Sequence, residues 1–272
     1  MQKSTSPDAI APASAARPER VALFVSDLHL QENSPATTAL FLDFLAHHAV
    51  HARQLYLLGD LFEYWAGDDD IDAPYIRRIV DALHACSRAG VQLFWIAGNR
   101  DFLVGEAFAQ AAGMVLLPDP HVIQIAGICV ALAHGDAQCT DDHDYQAFRA
   151  QVRSPEWQQA FLSRPLDERK AIIDGMRAGS RDAQRGKTME IMDVNAGAID
   201  ELFASTGASV LIHGHTHRPA LHSHGKLLRY VLPDWDGDAT PPRGGWLALD
   251  AAGTVSRHDV HGSLVPDTAA KR

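Results

Sequence analysis

Five short, near-continuous apolar runs, each closed by a cluster of polar residues, constrain this chain more than any other feature. They occupy residues 21–25, 54–58, 91–97, 129–133 and 209–212. The clusters that end them are Ser26-Asp27-Leu28-His29, Gly59-Asp60, Gly98-Asn99-Arg100-Asp101, His134-Gly135-Asp136 and His213-Gly214-His215-Thr216-His217. Apolar runs of this length without alternation read as strands buried on both faces. Helical spacing at 37–49 and 75–87 separates the first three runs. The alternation predicts βαβ units, an α/β fold class and a largely parallel inner sheet. Shorter β-like runs follow at 226–232 and 245–250, and there is no internal repeat.

Sites in open α/β sheets form beyond the carboxyl ends of strands. The five clusters would therefore bring Asp27, His29, Asp60, Asn99, His134, His215 and His217 to one crevice. Carboxylate, imidazole and carboxamide together suit Mn²⁺, Fe²⁺, Zn²⁺ or Mg²⁺, and no thiolate is offered to a softer metal. In an extended turn, Asp-x-His or His-x-His at i, i+2 sends both side chains to the same side. Each motif alone has a bland reading: Asp-x-His is usually a cap or turn, and Gly-Asp and Gly-Asn are common turn formers. The metal reading rests on five clusters in the same place relative to five strands. His47, His48 and His51 serve as a contrast, reading as solvated helix residues.

The net charge of -10 predicts no whole-protein attraction to nucleic acid or to an anionic membrane. Three cysteines, Cys86, Cys129 and Cys139, form no C-x-x-C pair, which fits a reducing cytosol. No apolar run reaches the roughly 18 residues of a spanning helix, and the N-terminus lacks a signal-peptide core. A cytosolic protein is expected, with membrane contact at most peripheral. Residues 1–20 and 263–272 read as tails flanking a domain at 21–262, with a helical insertion at about 140–200.

Within that insertion, residues 145–190 hold nine basic and six acidic side chains, a net of +3 inside an acidic chain. Trp157 and Phe161 fall at i, i+4, and Ile172, Ile173 and Met176 form a second apolar stripe. These stripes fit the core of a helical hairpin. They also fit a lid with an apolar interior and a basic rim, able to admit a phosphorylated lipid or rest on an anionic bilayer. Ser180, Gln184 and Lys187 share one helical face, suited to a polar phosphorylated head group or simply to solvent.

The series of strand-end motifs resembles the calcineurin-like metallophosphoesterases over about residues 21–260. The resemblance implies an αββα sandwich with a helical lid and two metal sites. One comprises Asp27, His29, Asp60 and His217; the other comprises Asp60, Asn99, His134 and His215, with Asp60 bridging. Two cations there would hold a hydroxide for in-line attack on phosphorus. The family usually carries His where this chain has Arg100. A guanidinium stays charged and donates in a fork, which suits a phosphate oxygen and not proton transfer. The expected leaving group is therefore one that departs as an anion, such as a phosphate. The alternative for Arg100 is an ion pair with Asp101.

Gly98-Asn99-Arg100-Asp101, the Ser180, Gln184, Lys187 series, residues 191–195 and residues 213–219 resemble one branch of that family. It hydrolyses the pyrophosphate of UDP-2,3-diacylglucosamine in lipid A biosynthesis. The resemblance implies attack on the α-phosphorus, giving UMP and 2,3-diacylglucosamine 1-phosphate, with two Mn²⁺ as cofactors. It implies catalytic roles for Asn99, Arg100 and His215. Substrate contacts are implied at Asn99, Arg100, Asp142, Ser180, Gln184, Lys187 and His215, and peripheral contact with inner-membrane lipids on the cytoplasmic face. That branch often has Asn where this chain has Gln184. Two other expectations stand beside this one: a soluble metal-dependent phosphodiesterase or phosphatase, and a non-catalytic scaffold, which would be expected to lack a ligand.

Overall fold

The computed structural model describes residues 20–184, 191 and 193–267, with side chains left undescribed at 178–184. Residues 1–19 of the expected N-terminal tail and 268–272 of the C-terminal tail lie outside the described residues. The first apolar run forms β1 (Arg20–Val25), followed by α1 (Pro35–His47), β2 (Gln54–Leu57), α2 (Pro74–Arg88), β3 (Gln92–Ile96), α3 (Glu106–Ala112) and β4 (Met114–Leu117). The hairpin β5 (His121–Ile125) and β6 (Ile128–Ala133) follows. Three helices then interrupt the strand rhythm: α4 (His143–Val152), α5 (Pro155–Leu162) and α6 (Leu166–Gln184). The chain continues through α7 (Ala196–Thr206), β7 (Val210–His213), β8 (Ala220–His224), β9 (Leu227–Val231), β10 (Gly245–Asp250), β11 (Val255–Asp259) and β12 (Leu264–Val265).

Among the described residues the strands form two sheets, ordered β12-β11-β10-β1-β2-β3-β4 and β5-β6-β7-β9-β8. β1 to β4 run parallel, as do β6, β7 and β9. The inner faces meet through Phe24, Leu58 and Leu247 from one sheet and Val130, Leu132 and Ile212 from the other. On the inner face of the first sheet Phe24 stacks on Tyr56 at 5.2 Å, and Tyr56 on Phe94 at 4.8 Å. The alternate residues Leu23, Val25, Leu55 and Leu57 turn outward against Phe41 and Phe44 of α1 and Leu83 of α2. Ile199, Leu202 and Phe203 of α7 cover Ala131 and Leu211 of the second sheet. The result is the expected αββα sandwich, whose burial of alternate residues on both faces explains the continuous apolar runs.

The structure adjusts two expected boundaries. The insertion was expected to reach about residue 200, but α7 packs on the second sheet and connects the parallel strands β6 and β7. It is an outer-layer crossover helix. Leu264 and Val265, placed in the C-terminal tail, pair with β11, and Asp267 pairs with Arg257. His48 also departs from its reading as a solvated residue: its ring lies 4.6 Å from Trp246, whereas His47 and His51 are exposed.

Candidate metal centre

Six non-glycine residues among those described have a left-handed backbone: Asp27, His29, Asp60, Ala126, His215 and His217. Ala126 begins the tight turn between β5 and β6. The other five are candidate ligands named from the sequence. Left-handed geometry costs roughly 1–2 kcal/mol per ordinary residue, less for Asp, and persists where surrounding contacts impose it. Here the loops after β1 and β2 stay zipped together. Leu28 N and His29 N both donate to the Asp60 carbonyl, at 2.8 and 3.0 Å, and Asp27 N donates to the Gly59 carbonyl at 3.1 Å. Gly98 permits the third loop to approach: a Cβ there would lie 2.1 Å from Asp60 Oδ1.

The candidate ligands fall into two groups that share Asp60. His29 Nε2 lies 3.3 Å from His217 Nε2 and 3.9 Å from Asp60 Oδ2, and His217 Nε2 lies 3.3 Å from Asp27 Oδ1. In the second group, Asn99 Oδ1 lies 2.9 Å from His134 Nε2 and 2.8 Å from His215 Nδ1, and His134 Nε2 is 3.7 Å from Asp60 Oδ1. His134 Nδ1 is 2.8 Å from the Leu58 carbonyl, which can only accept. That nitrogen therefore carries the hydrogen, and neutral His134 would turn the Nε2 lone pair toward the Asn99 oxygen. Two acceptors face each other across a gap that needs a proton or a cation between them.

Asp27 Oδ1 is buried with no hydrogen bond of good geometry. Burial works against the Asp27 charge, yet His217, His134 and His29 around it hold the carboxyl well below its usual range. Burial opposes the His134 charge as well, but Asp60, Asp136 and Asp27 raise it to about 9. Burial and the neighbouring His134 lower His215 to about 4. Oxygen and nitrogen donors that converge this closely, with Asp27 Oδ1 left unsatisfied among them, fit divalent cations. Asp27 with His29 and His217, and Asp27 with Asp60 and His134, each bring ligand atoms within 4.8 Å of one another.

The carboxylates that brace this cluster escaped the sequence reading. Asp101 is fully buried and accepts N–H groups from Gly98, Asp60, Leu61 and Phe62, which locks the β2 and β3 loops together. It is therefore no partner for Arg100, whose guanidinium lies 4.0 Å from Glu63. Glu63 Oε2 is 3.1 Å from His29 Nδ1. Burial opposes the Glu63 charge, but His29, Arg100 and Arg177 bring its pKa down to about 2. Asp136 accepts from Tyr145 Oη at 2.7 Å and Arg149 Nε at 2.8 Å. Each lies within three residues of a candidate ligand, and that proximity in sequence is the signal that could have found them.

A cavity of about 750 Å³ opens from the centre. His29, Asp60, Asn99, Arg100, His215 and His217 line one end, and Phe102, Leu103, Phe148, Trp157, Phe161 and Ile173 contribute an apolar wall. Asp142 also lines it and caps α4 through Tyr145 N. Of the other expected substrate contacts, Lys187 lies outside the described residues, as do the side chains of Ser180 and Gln184. The insertion packs on the main core and lines the cavity. Phe161 is buried in the main core, Trp157 stacks on it at 4.8 Å and packs against the same core, and both line the cavity. Among the described side chains the expected basic rim is absorbed in pairs: Arg149 and Arg153 pair with Asp136, Arg164 with Glu168, Arg169 with Asp69, Lys170 with Asp70 and Arg177 with Glu63.

A calcineurin-like phosphoesterase family profile matches residues 21–219. The UDP-2,3-diacylglucosamine hydrolase of Aromatoleum aromaticum is 50% identical over 236 residues, covering 85% of this chain and 94% of its own. Its namesake in Chromobacterium violaceum is 48% identical, covering 86% of this chain and 96% of its own. The Bordetella pertussis protein of the same name is 45% identical, covering 84% and 91%.

Proposed function

This chain belongs to the calcineurin-like phosphoesterase family, a family of metal-dependent hydrolases, and from that membership we propose that it hydrolyses UDP-2,3-diacylglucosamine, a step of lipid A biosynthesis. Attack falls on the α-phosphorus and gives UMP and 2,3-diacylglucosamine 1-phosphate. The observation that carries the substrate is the two-natured cavity: converging metal-type donors at one end, and Phe102, Trp157 and Ile173 along an apolar wall. A polar nucleotide diphosphate fits the first and acyl chains the second, whereas a small water-soluble ester would leave the apolar part unfilled.

Asp27, His29, Asp60 and His217 would hold one cation, and Asp60, Asn99, His134 and His215 a second, with Mn²⁺ the expected ion. Bound there, the cations supply an acidified water and neutralise charge on phosphoryl oxygens. Arg100 faces the same cavity with a fixed cationic fork suited to a phosphate oxygen. Its presence matches a leaving group that is itself a phosphate and needs no proton donor. Asn99 and His215, drawn together at 2.8 Å, fix the wall against which the α-phosphoryl group is oriented. Trp157 and Phe102, 6.2 Å apart, shield the acyl end from water.

Among the described residues no helix is long and apolar enough to cross a membrane. Exposed Phe148 and Leu162 on the insertion support peripheral contact with the cytoplasmic face of the inner membrane, where an acylated substrate resides. Hydrolysis in isotopically labelled water tests the chemistry. The label is expected in UMP; label in the lipid phosphate instead would refute α-attack, and turnover confined to small soluble esters would refute the substrate.

A further inference from the structure

Glu63 stands between the metal centre and the helical insertion. It follows β2 by three positions after Asp60 and is half-buried. One carboxylate oxygen, Oε2, lies 3.1 Å from Nδ1 of His29, on the side of the ring away from Asp60 and His217. The other, Oε1, accepts from Arg177 of α6 at 2.6 Å and lies 4.0 Å from Arg100. Arg177 is held in place by the Tyr64 ring, 5.2 Å from its guanidinium carbon. Next along the chain, α6 is clamped to the same segment through Arg169 with Asp69 and Lys170 with Asp70. A single side chain thus touches a candidate ligand, the phosphate-facing arginine and the lid.

The geometry points to Glu63 as a positioning residue that couples the insertion to the metal centre: Arg177 orients the carboxylate, and the carboxylate orients His29. This rests on the proposed metal-dependent hydrolysis. A carboxylate on the outer nitrogen of a ligating imidazole fixes the ring and its tautomer and raises its basicity as a ligand. Here it has a further effect. With Glu63 neutral, Arg100 and Arg177 would face the cation site uncompensated and repel its occupant. Displacement of α6, for example by acyl chains entering the cavity, would then be felt at His29.

The test is Mn²⁺ titration of the full-length protein, followed by the signal of free Mn²⁺, for wild type, Glu63→Gln, Arg177→Met and the double variant. Glu63→Gln is expected to weaken Mn²⁺ binding by about ten- to a hundredfold. Arg177→Met should weaken it severalfold in the wild-type background; in the Glu63→Gln background it should weaken it no further and, by removing an uncompensated cation, partly restore it. Glu63→Asp, which keeps the charge but shortens the reach, should fall between. Wild-type Mn²⁺ affinity in Glu63→Gln would overturn the positioning role. No effect of Arg177→Met, or effects that simply add, would overturn the coupling. Thermal unfolding of the metal-free variants within a few degrees of wild type separates these results from a folding defect. Wild-type protein that neither binds Mn²⁺ nor needs it for turnover would instead sink the proposed function itself.

Discussion

The strand-end loops and the helical insertion meet at one cavity but are held in different ways. The loops are fixed by short backbone bonds and by buried carboxylates such as Asp101, with five candidate ligands in strained left-handed geometry. The insertion is held by side chains: one buried aromatic, Phe161, and charge pairs to Glu63, Asp69 and Asp70. Strain needs an over-determined setting, so it collects where chemistry demands fixed positions. Side-chain clamps permit movement, which suits a surface that must admit a bulky substrate. The difference separates a centre braced through its backbone from an insertion braced through its side chains.

The largest effect should come from breaking the centre. Asp60→Asn removes the charge shared by both donor groups, and turnover should fall by more than about a thousandfold, because several kcal/mol of charge stabilisation go with the metal. Steady-state kinetics and metal content should fall together; near-normal turnover would contradict the assignment. In the insertion, the aromatic pair divides. Phe161→Ala should destabilise the fold by about 3–5 kcal/mol, measured by denaturant unfolding, because the ring is buried in the main core. Trp157→Ala should leave most stability intact and lower turnover of acylated substrate by about tenfold, roughly 1.4 kcal/mol of lost apolar contact. A deacylated analogue should be turned over as by wild type. Equal losses on both substrates would remove Trp157 from the acyl site. The smallest change is expected at a single clamp. Lys170→Met breaks a partly exposed pair with Asp70, with a stability loss of about 1 kcal/mol or less that shrinks further in high salt.

The two regions were unequally legible in the sequence. The β1, β2, β3, β6 and β7 runs announced themselves because both faces of these strands are buried. The polar residues after them stood out by their fixed position. The edge strands β5, β8 and β12, and β11 beside β12, did not, since strands half-open to solvent carry few consecutive apolar residues. His-Val-Ile-Gln-Ile in β5 alternates exposure and burial instead. The braces were hidden for another reason. Asp101, Glu63 and Asp136 act through partners up to more than a hundred residues away, so their sequence neighbours reveal a carboxylate but not its task. In the insertion, charge content was visible and charge pairing was not. Arg149, Arg169 and Lys170 counted toward a basic rim, yet they are already paired with Asp136, Asp69 and Asp70.

Anomalous scattering from a manganese-soaked crystal tests the central claim most directly. The account predicts two peaks about 3.5–4 Å apart, both against Asp60. One should be met by Asp27, His29 and His217, and the other by Asn99, His134 and His215. Density showing no manganese at Asp60, or manganese held by other residues with these side chains turned away, would contradict it.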